Sequence, residues 1–260
     1  MRRDRTAQSP ERERAVSEVL SYSLIFGLII ASIAIVTVGG VNSLQTAQTN
    51  EQLSNAERAF DVLHDNLADV YSEGAPSRAT EISLGDSQLF LDENVTFRVK
   101  LDGVPEISRE IRPLVFRIDG DRQLVYEAGA TIRSERDGGI VLNAPPLALD
   151  ADGAGHAHLP IVRTTSADVQ SMGSTTILVR GQSWNREVLQ SYVTNGPDLE
   201  YVEIETPRSG AWQDYFDQRE YCIAVTEPST DTVRCAIGNG YEDPRHLYVT
   251  EQAIEISLIQ

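Results

Sequence analysis

No charged side chain occurs between Glu18 and Glu51. The apolar heart of this run, residues 19–38, has about the 20 residues a helix needs to cross the hydrocarbon core of a bilayer. Before it lies the arginine-dotted start MRRDRTAQSPERERA. A helix that is apolar all round must be covered by lipid or by other apolar helices, and this limits every architecture open to the chain. The stretch is too long for the apolar core of a cleaved secretory signal, so an anchor that stays on the protein fits better.

The helical pattern continues past the apolar run. Leu53, Ala56, Phe60, Leu63, Leu67 and Val70 recur at steps of three and four with charged residues between them, the mark of an amphipathic helix. A helix over residues 16–72 would be about 85 Å long at 1.5 Å per residue. Gly39-Gly40 and Asn42-Ser43 are the places where it would kink or break, and Gly74-Ala75-Pro76 ends it. The stripe from Leu53 to Val70 packs either on the chain's own β-domain or on neighbouring subunits.

The formal net charge of −17 argues against nucleic acid and anionic lipid headgroups as partners, since both would be repelled. Lys100 is the one lysine, so arginine supplies nearly all the positive charge. An acidic, lysine-poor surface suits a protein that stays hydrated in concentrated salt, where repulsion is screened, and points to a halophile. An ordinary acidic protein is the alternative.

From residue 79 onward the chain changes to short alternating or β-branched runs. Strands are expected at 80–84, 95–101, 114–118, 123–127, 130–133, 140–143, 158–163, 175–180, 189–195, 201–205, 222–226, 232–237, 246–250 and 253–259, with one short helix at 210–219. This spacing predicts an α+β chain, a long amino-terminal helix followed by a mainly antiparallel, β-sandwich-like head. The expected organisation is residues 1–15 as a cytoplasmic leader, 16–72 as the helix and 73–260 as an extracellular head. Cys222 and Cys235 stand at matching distances from the turn Glu227-Pro228-Ser229-Thr230-Asp231. A cross-strand disulfide would put the head in an oxidising space; two buried thiols are the alternative.

Candidate chemistry is sparse. His156 and His158 alternate as on one strand face, but zinc wants a third or fourth ligand and no further His or Cys lies near in sequence. Asp150 and Asp152 lack the remaining oxygens of a calcium loop. Trp212, Tyr215 and Phe216 share a helical face, as core or as an adhesive patch. Asn94-Val95-Thr96 is an N-glycosylation sequon. There is no phosphate-cradling glycine loop, nucleophile elbow or zinc-protease helix. The expectation is therefore no enzyme, no metal and no cofactor.

The residues before the apolar run, Arg14-Ala15-Val16-Ser17-Glu18-Val19-Leu20, resemble the class III leader of archaeal type IV pilins and pilin-like proteins. The resemblance implies cleavage by a prepilin peptidase between Ala15 and Val16, with Arg14 as the basic determinant and Val16 as the new first residue. Glu18 stands where many archaeal pilins have proline. The stretches AERAFDVLHDNLADVYSEGAPSRATEISL, LVYEAGATIRSERDGGIVLNAPPL and RSGAWQDYFDQREYC resemble haloarchaeal pilin-like membrane proteins with a β-rich ectodomain. With the positive-inside tendency, this implies a leader in the cytoplasm and a head outside. The expected function is a type IV pilin-like subunit of a surface filament or the cell envelope, with the membrane, the peptidase and other pilin subunits as partners. A single-pass anchored ectodomain that binds or scaffolds without polymerising is the alternative.

Overall fold

The computed structural model describes residues 10–136, 138–149, 156–166, 171–173, 176–193, 197–237 and 246–260, without the side chains of residues 10–18, 42, 45, 46, 119, 156, 171 and 172. The fold is α+β, a long apolar amino-terminal helix followed by mainly antiparallel sheets. Two compact units divide between Glu51 and Gln52.

Helix α1 spans Pro10–Ala68. It is not interrupted at Gly39-Gly40. Two of its serines donate to their own helix, Ser32 Oγ to Leu28 O at 2.8 Å and Ser43 Oγ to Gly39 O at 2.9 Å. That bond satisfies a hydroxyl which would otherwise be costly in an apolar medium. A π-helical turn, Asp69–Glu73, ends the helix, and Gly74 at φ 82° provides the left-handed cap that a side chain would strain.

In chain order the strands are β1 (Ser77–Ser83), β2 (Gln88–Leu91), β3 (Val95–Leu101), β4 (Ile107–Ile111), β5 (Leu114–Asp119) and β6 (Arg122–Glu127). Next come β7 (Ala130–Glu135), β8 (Gly138–Asn143), β9 (Ala148–Leu149), β10 (His156–Thr165), β11 (Ser171–Gly173) and β12 (Thr176–Tyr192). After β13 (Leu199–Glu205), helix α2 (Ser209–Asp217) precedes β14 (Cys222–Ser229), β15 (Thr232–Ile237) and β16 (His246–Ile259). They form three sheets, ordered β1-β12-β16-β10-β9, β11-β2-β5-β6-β7-β8 and β14-β15-β13-β3-β4. Among the described residues the one parallel pairing is β10 with β16.

Alternation along the strands supplies two cores. The segment of α1 from Gln52 buries Ala56, Phe60, Leu63 and Leu67 against Ile177 and Val179 of β12, Ile254 and Ile256 of β16, and Phe116, Leu124 and Tyr126 of the second sheet. The intervening residues point the other way. Val115, Val125, Leu159, Ile161, Leu247 and Val249 join Phe97, Val99, Val202, Ile204 and the α2 aromatics in a second cluster. Close approach of helix to sheet depends on Gly181, where a Cβ would collide with the Leu67 side chain and come within 3.2 Å of Ile254.

The two parts of α1 therefore predict opposite mutational behaviour. Leu63→Ala should destabilise the head by about 2–5 kcal/mol, the range for a buried leucine, whereas Leu28→Ala, at a position 65% exposed, should leave head unfolding unchanged. Chemical denaturation of the detergent-solubilised chain, followed by tryptophan emission, checks both.

Candidate functional site

Among the described residues a long uncovered apolar surface lies on α1 between Val19 and Val41, a segment long and apolar enough to cross a membrane, with none of its span buried. Fourteen large apolar side chains are exposed on it, including Leu24, Phe26, Ile30, Ile33 and Val36. At about 1.5–3 kcal/mol per covered side chain, burying them is worth at least about 20 kcal/mol, more than the 5–15 kcal/mol that holds a typical domain folded. No charge interrupts the segment, and Gly27 has nothing within 4 Å of where a Cβ would sit. Small residues there let a second helix approach closely.

The leader positions fall partly outside what can be described. Residues 1–9 lie outside the described residues, and Arg14, Ala15 and Val16 are placed as α1 backbone without their side chains. Asp150 and Asp152 also lie outside the described residues.

Cys222 and Cys235 are bonded to one another. They come from the adjacent antiparallel strands β14 and β15, where Val225 is opposite Cys235 and Cys222 opposite Ile237, with a register shift between Cys222 and Ala224. Such a bond is characteristic of an oxidising compartment. Asn94 is exposed at the entry to β3 and donates through Nδ2 to Glu110 Oε2 at 3.1 Å. Trp212, Tyr215 and Phe216 are core residues, the first and last fully buried. Among the described residues of the head the exposed aromatic is instead Trp184, 67% exposed at a bulge in β12. Nothing in its local sequence distinguishes it from a buried strand tryptophan.

Buried carboxylates are the usual raw material of acid–base chemistry, but the three among the described residues, Glu127, Glu203 and Glu251, are each held by donors. Glu127, fully buried at the end of β6, accepts from Trp212 Nε1 at 2.8 Å, Arg208 Nε at 2.8 Å and Thr206 Oγ1 at 3.1 Å. Arg208 also reaches Asp92 at 3.2 Å. This cluster fixes α2 to the second sheet. Glu251 of β16 is held by Arg163 of β10 at 2.6 Å and by Arg109 of β4, so it joins the first and third sheets. Burial works to raise its carboxyl, but the two guanidiniums outweigh burial and hold it below the ordinary 4.5.

Across the third sheet, register sets Glu203 of β13 between Arg98 of β3 and Arg234 of β15. The contacts are 2.9 Å to Arg98 and 2.7 Å to Arg234. Tyr201 donates to Glu106 at 2.6 Å, a bond that pushes the phenol up to about 12. An open groove is lined by Asp121, Arg122, Arg133, Glu135 and Arg136, and in it Arg133 pairs with Glu57 and Arg136 with Asp121. His64 on α1 lies edge-on to Tyr126, and burial lowers its imidazole despite the nearby Asp65 and Asp61. Among the described side chains, no three of His, Cys, Asp and Glu are grouped to hold a metal ion.

Two stability predictions follow from this geometry. Because the folded carboxyl of Glu251 is depressed, its contribution is present above the unfolded value near 4.5 and lost as pH falls through the folded value. Glu251→Gln should therefore flatten the acid limb of the stability curve below about pH 4.5 and weaken the head at neutral pH, as read by denaturation at a series of pH values. Replacing both cysteines with alanine should cost about 2–4 kcal/mol in the same assay.

No curated protein and no solved structure matches the chain. The match that exists spans the apolar helix and the β-rich part together, and by it the chain belongs to the family of unknown function DUF7289, over residues 14–257.

Proposed function

We propose that this chain is a type IV pilin-like subunit of the cell envelope. A prepilin peptidase cuts between Ala15 and Val16, the apolar segment of α1 rests in the membrane, and the disulfide-bonded head faces the outside. The observation that carries this reading is the uncovered run Val19–Val41 on the same helix whose later turns form the core of the head. A removable signal sequence needs no such continuity.

The reading assigns α1 two successive environments. In the membrane its side chains contact lipid; in a filament they contact copies of the same helix, which are as apolar as lipid, so close packing decides specificity. Partners are thus the membrane, the peptidase and other subunits, with no nucleic acid. The reading includes no catalytic activity, since Glu127 and Glu251 serve as structural ion-pair partners. The acidic, arginine-bridged surface suits a salt-rich exterior, where paired guanidiniums keep geometric order that screening alone would erase.

Two measurements test this. Intact-mass analysis of the protein from cell envelopes should find Val16 as the first residue, and Ala15→Leu should leave the whole 28.7 kDa precursor uncut. Shearing should release the mature chain in filaments. Recovery of an uncut leader contradicts the processing step. A processed chain that stays with the lipid after shearing supports instead an anchored ectodomain that does not polymerise. Asn94→Gln should lower the mass by one glycan while leaving processing unchanged.

A further inference from the structure

Strand β12 outruns the neighbour that covers it. On one side it pairs with β16 over residues 178–192. On the other, β1 ends opposite Gln182, and one further bond joins Ser183 N to Pro76 O. From Trp184 onward the sheet places no strand on that side among the described residues. Residues 184–188 are exposed at five consecutive positions, so this stretch is wet on both faces as well as along its edge. Trp184, Val188 and Val193 are three of the eight large apolar side chains exposed from Gln52 onward, so exposed apolar area gathers at this edge. An open row of backbone N–H and C=O groups bordered by apolar side chains is a template for another strand.

Charge and register limit which strand fits. A second copy offers the same edge, and a two-fold axis normal to the sheet pairs the two edges antiparallel. In the regular stretch between the bulges at Trp184 and Leu189, the axis can pass at Asn185, Arg186, Glu187 or Val188. An axis at Arg186 or Glu187 sets like charges directly opposite, which disfavours pairing. An axis at Asn185 sets Val188 of one copy opposite Gln182 of the other, a position β1 already occupies. Val188 remains, where two exposed valines meet. Past the bulge at Leu189, Arg186 of each copy then faces Ser191 of the other, since both residues lie on the face of Tyr248, Thr250 and Gln252. A parallel, in-register pair would instead stack Arg186 on Arg186 and Glu187 on Glu187.

We propose that the free edge of β12, residues 184–192, pairs antiparallel with the same edge of a second copy and joins two heads through one continuous sheet. Strand β12 runs along α1 in the same direction, with Leu67 beside Gly181 and, further on, Arg186 bonded to the Val70 carbonyl. Antiparallel pairing therefore inverts the second head, and the α1 segments that begin at Gln52 enter the pair from opposite ends. On the reading proposed above, in which an anchor carries the head outside, this contact joins heads on facing surfaces rather than neighbours on one surface.

The test uses the full chain in detergent, at the lowest salt that keeps the head folded, because salt screens the charges involved. The chain's two cysteines are bonded to one another, so Val188→Cys introduces a single free thiol. Under mild oxidation Val188→Cys should form a covalent dimer. Leu178→Cys, exposed on the same strand where β1 covers the edge, should not. Both variants carry the same apolar span, so its association contributes equally to each. In the Val188→Cys background, Ser191→Glu should speed crosslinking and Ser191→Arg slow it. Each change should be roughly threefold or more, for two cross-strand charge pairs per dimer. Parallel pairing would set position 191 beside itself and slow both. Equal crosslinking of Val188→Cys and Leu178→Cys, or a response of the same sign to both Ser191 substitutions, overturns the proposal. Melting curves confirm that each variant is folded. Crosslinking does not depend on leader cleavage, so its failure is distinguishable from failure of the processing step.

Discussion

Fourteen large apolar side chains on one stretch of helix, none of them buried among the described residues, set the terms for the rest of this molecule. The free energy released by covering them exceeds the net stability of an ordinary domain. No arrangement of the β-rich part offsets that demand from within. Covering residues 19–41 with apolar atoms releases that free energy, and the absence of charge from Val19 to Asn50 suits the segment to lipid or to protein alike.

The same helix obeys a different rule after Glu51. There charged residues alternate with Ala56, Phe60, Leu63 and Leu67, and the helix becomes one layer of a soluble core. Burial against β12 and β16 stabilises it, and Gly181 sets how closely it lies. Polar clamps then hold the layers in register. Glu251 connects the first and third sheets through Arg163 and Arg109, and Glu127 secures α2 through Arg208 and Trp212. Removing one partner of such a clamp leaves a buried charge without compensation, which is why these clusters specify the arrangement even where their net contribution to stability is small.

Much of this was legible in sequence because it is local. The apolar run, the step-of-three-and-four stripe and the Gly74 stop follow from the local helical pattern, and the bend between β14 and β15, which the structure narrows to Thr230-Asp231, brings the two cysteines within bonding reach although Cys222 stands opposite Ile237. What was not legible depends on contacts distant in sequence. Strands β12 and β16 each read as two short strands, since the bulges at Trp184 and Leu189 shift the alternation of β12 without ending its pairing. The short strands β2 and β4 passed unrecognised, four and five residues long, because pairing with β5 and β3 rather than local pattern defines them. The parallel alignment of β10 with β16 is also non-local, since β11 to β15 and α2 lie between them in sequence. Likewise Glu127 lies in an ordinary strand pattern, and only the fold surrounds it with Arg208, Thr206 and Trp212.

The account stands on the claim that the helix segment between Val19 and Val41 requires an apolar environment in the working protein. Sedimentation of the Val16-to-Gln260 chain in concentrated salt without detergent tests it most directly. The prediction is that no monomer remains in solution, all of the protein being recovered in membranes, in detergent-dependent particles or in large assemblies. A stable, monodisperse monomer of that chain in detergent-free buffer would contradict it.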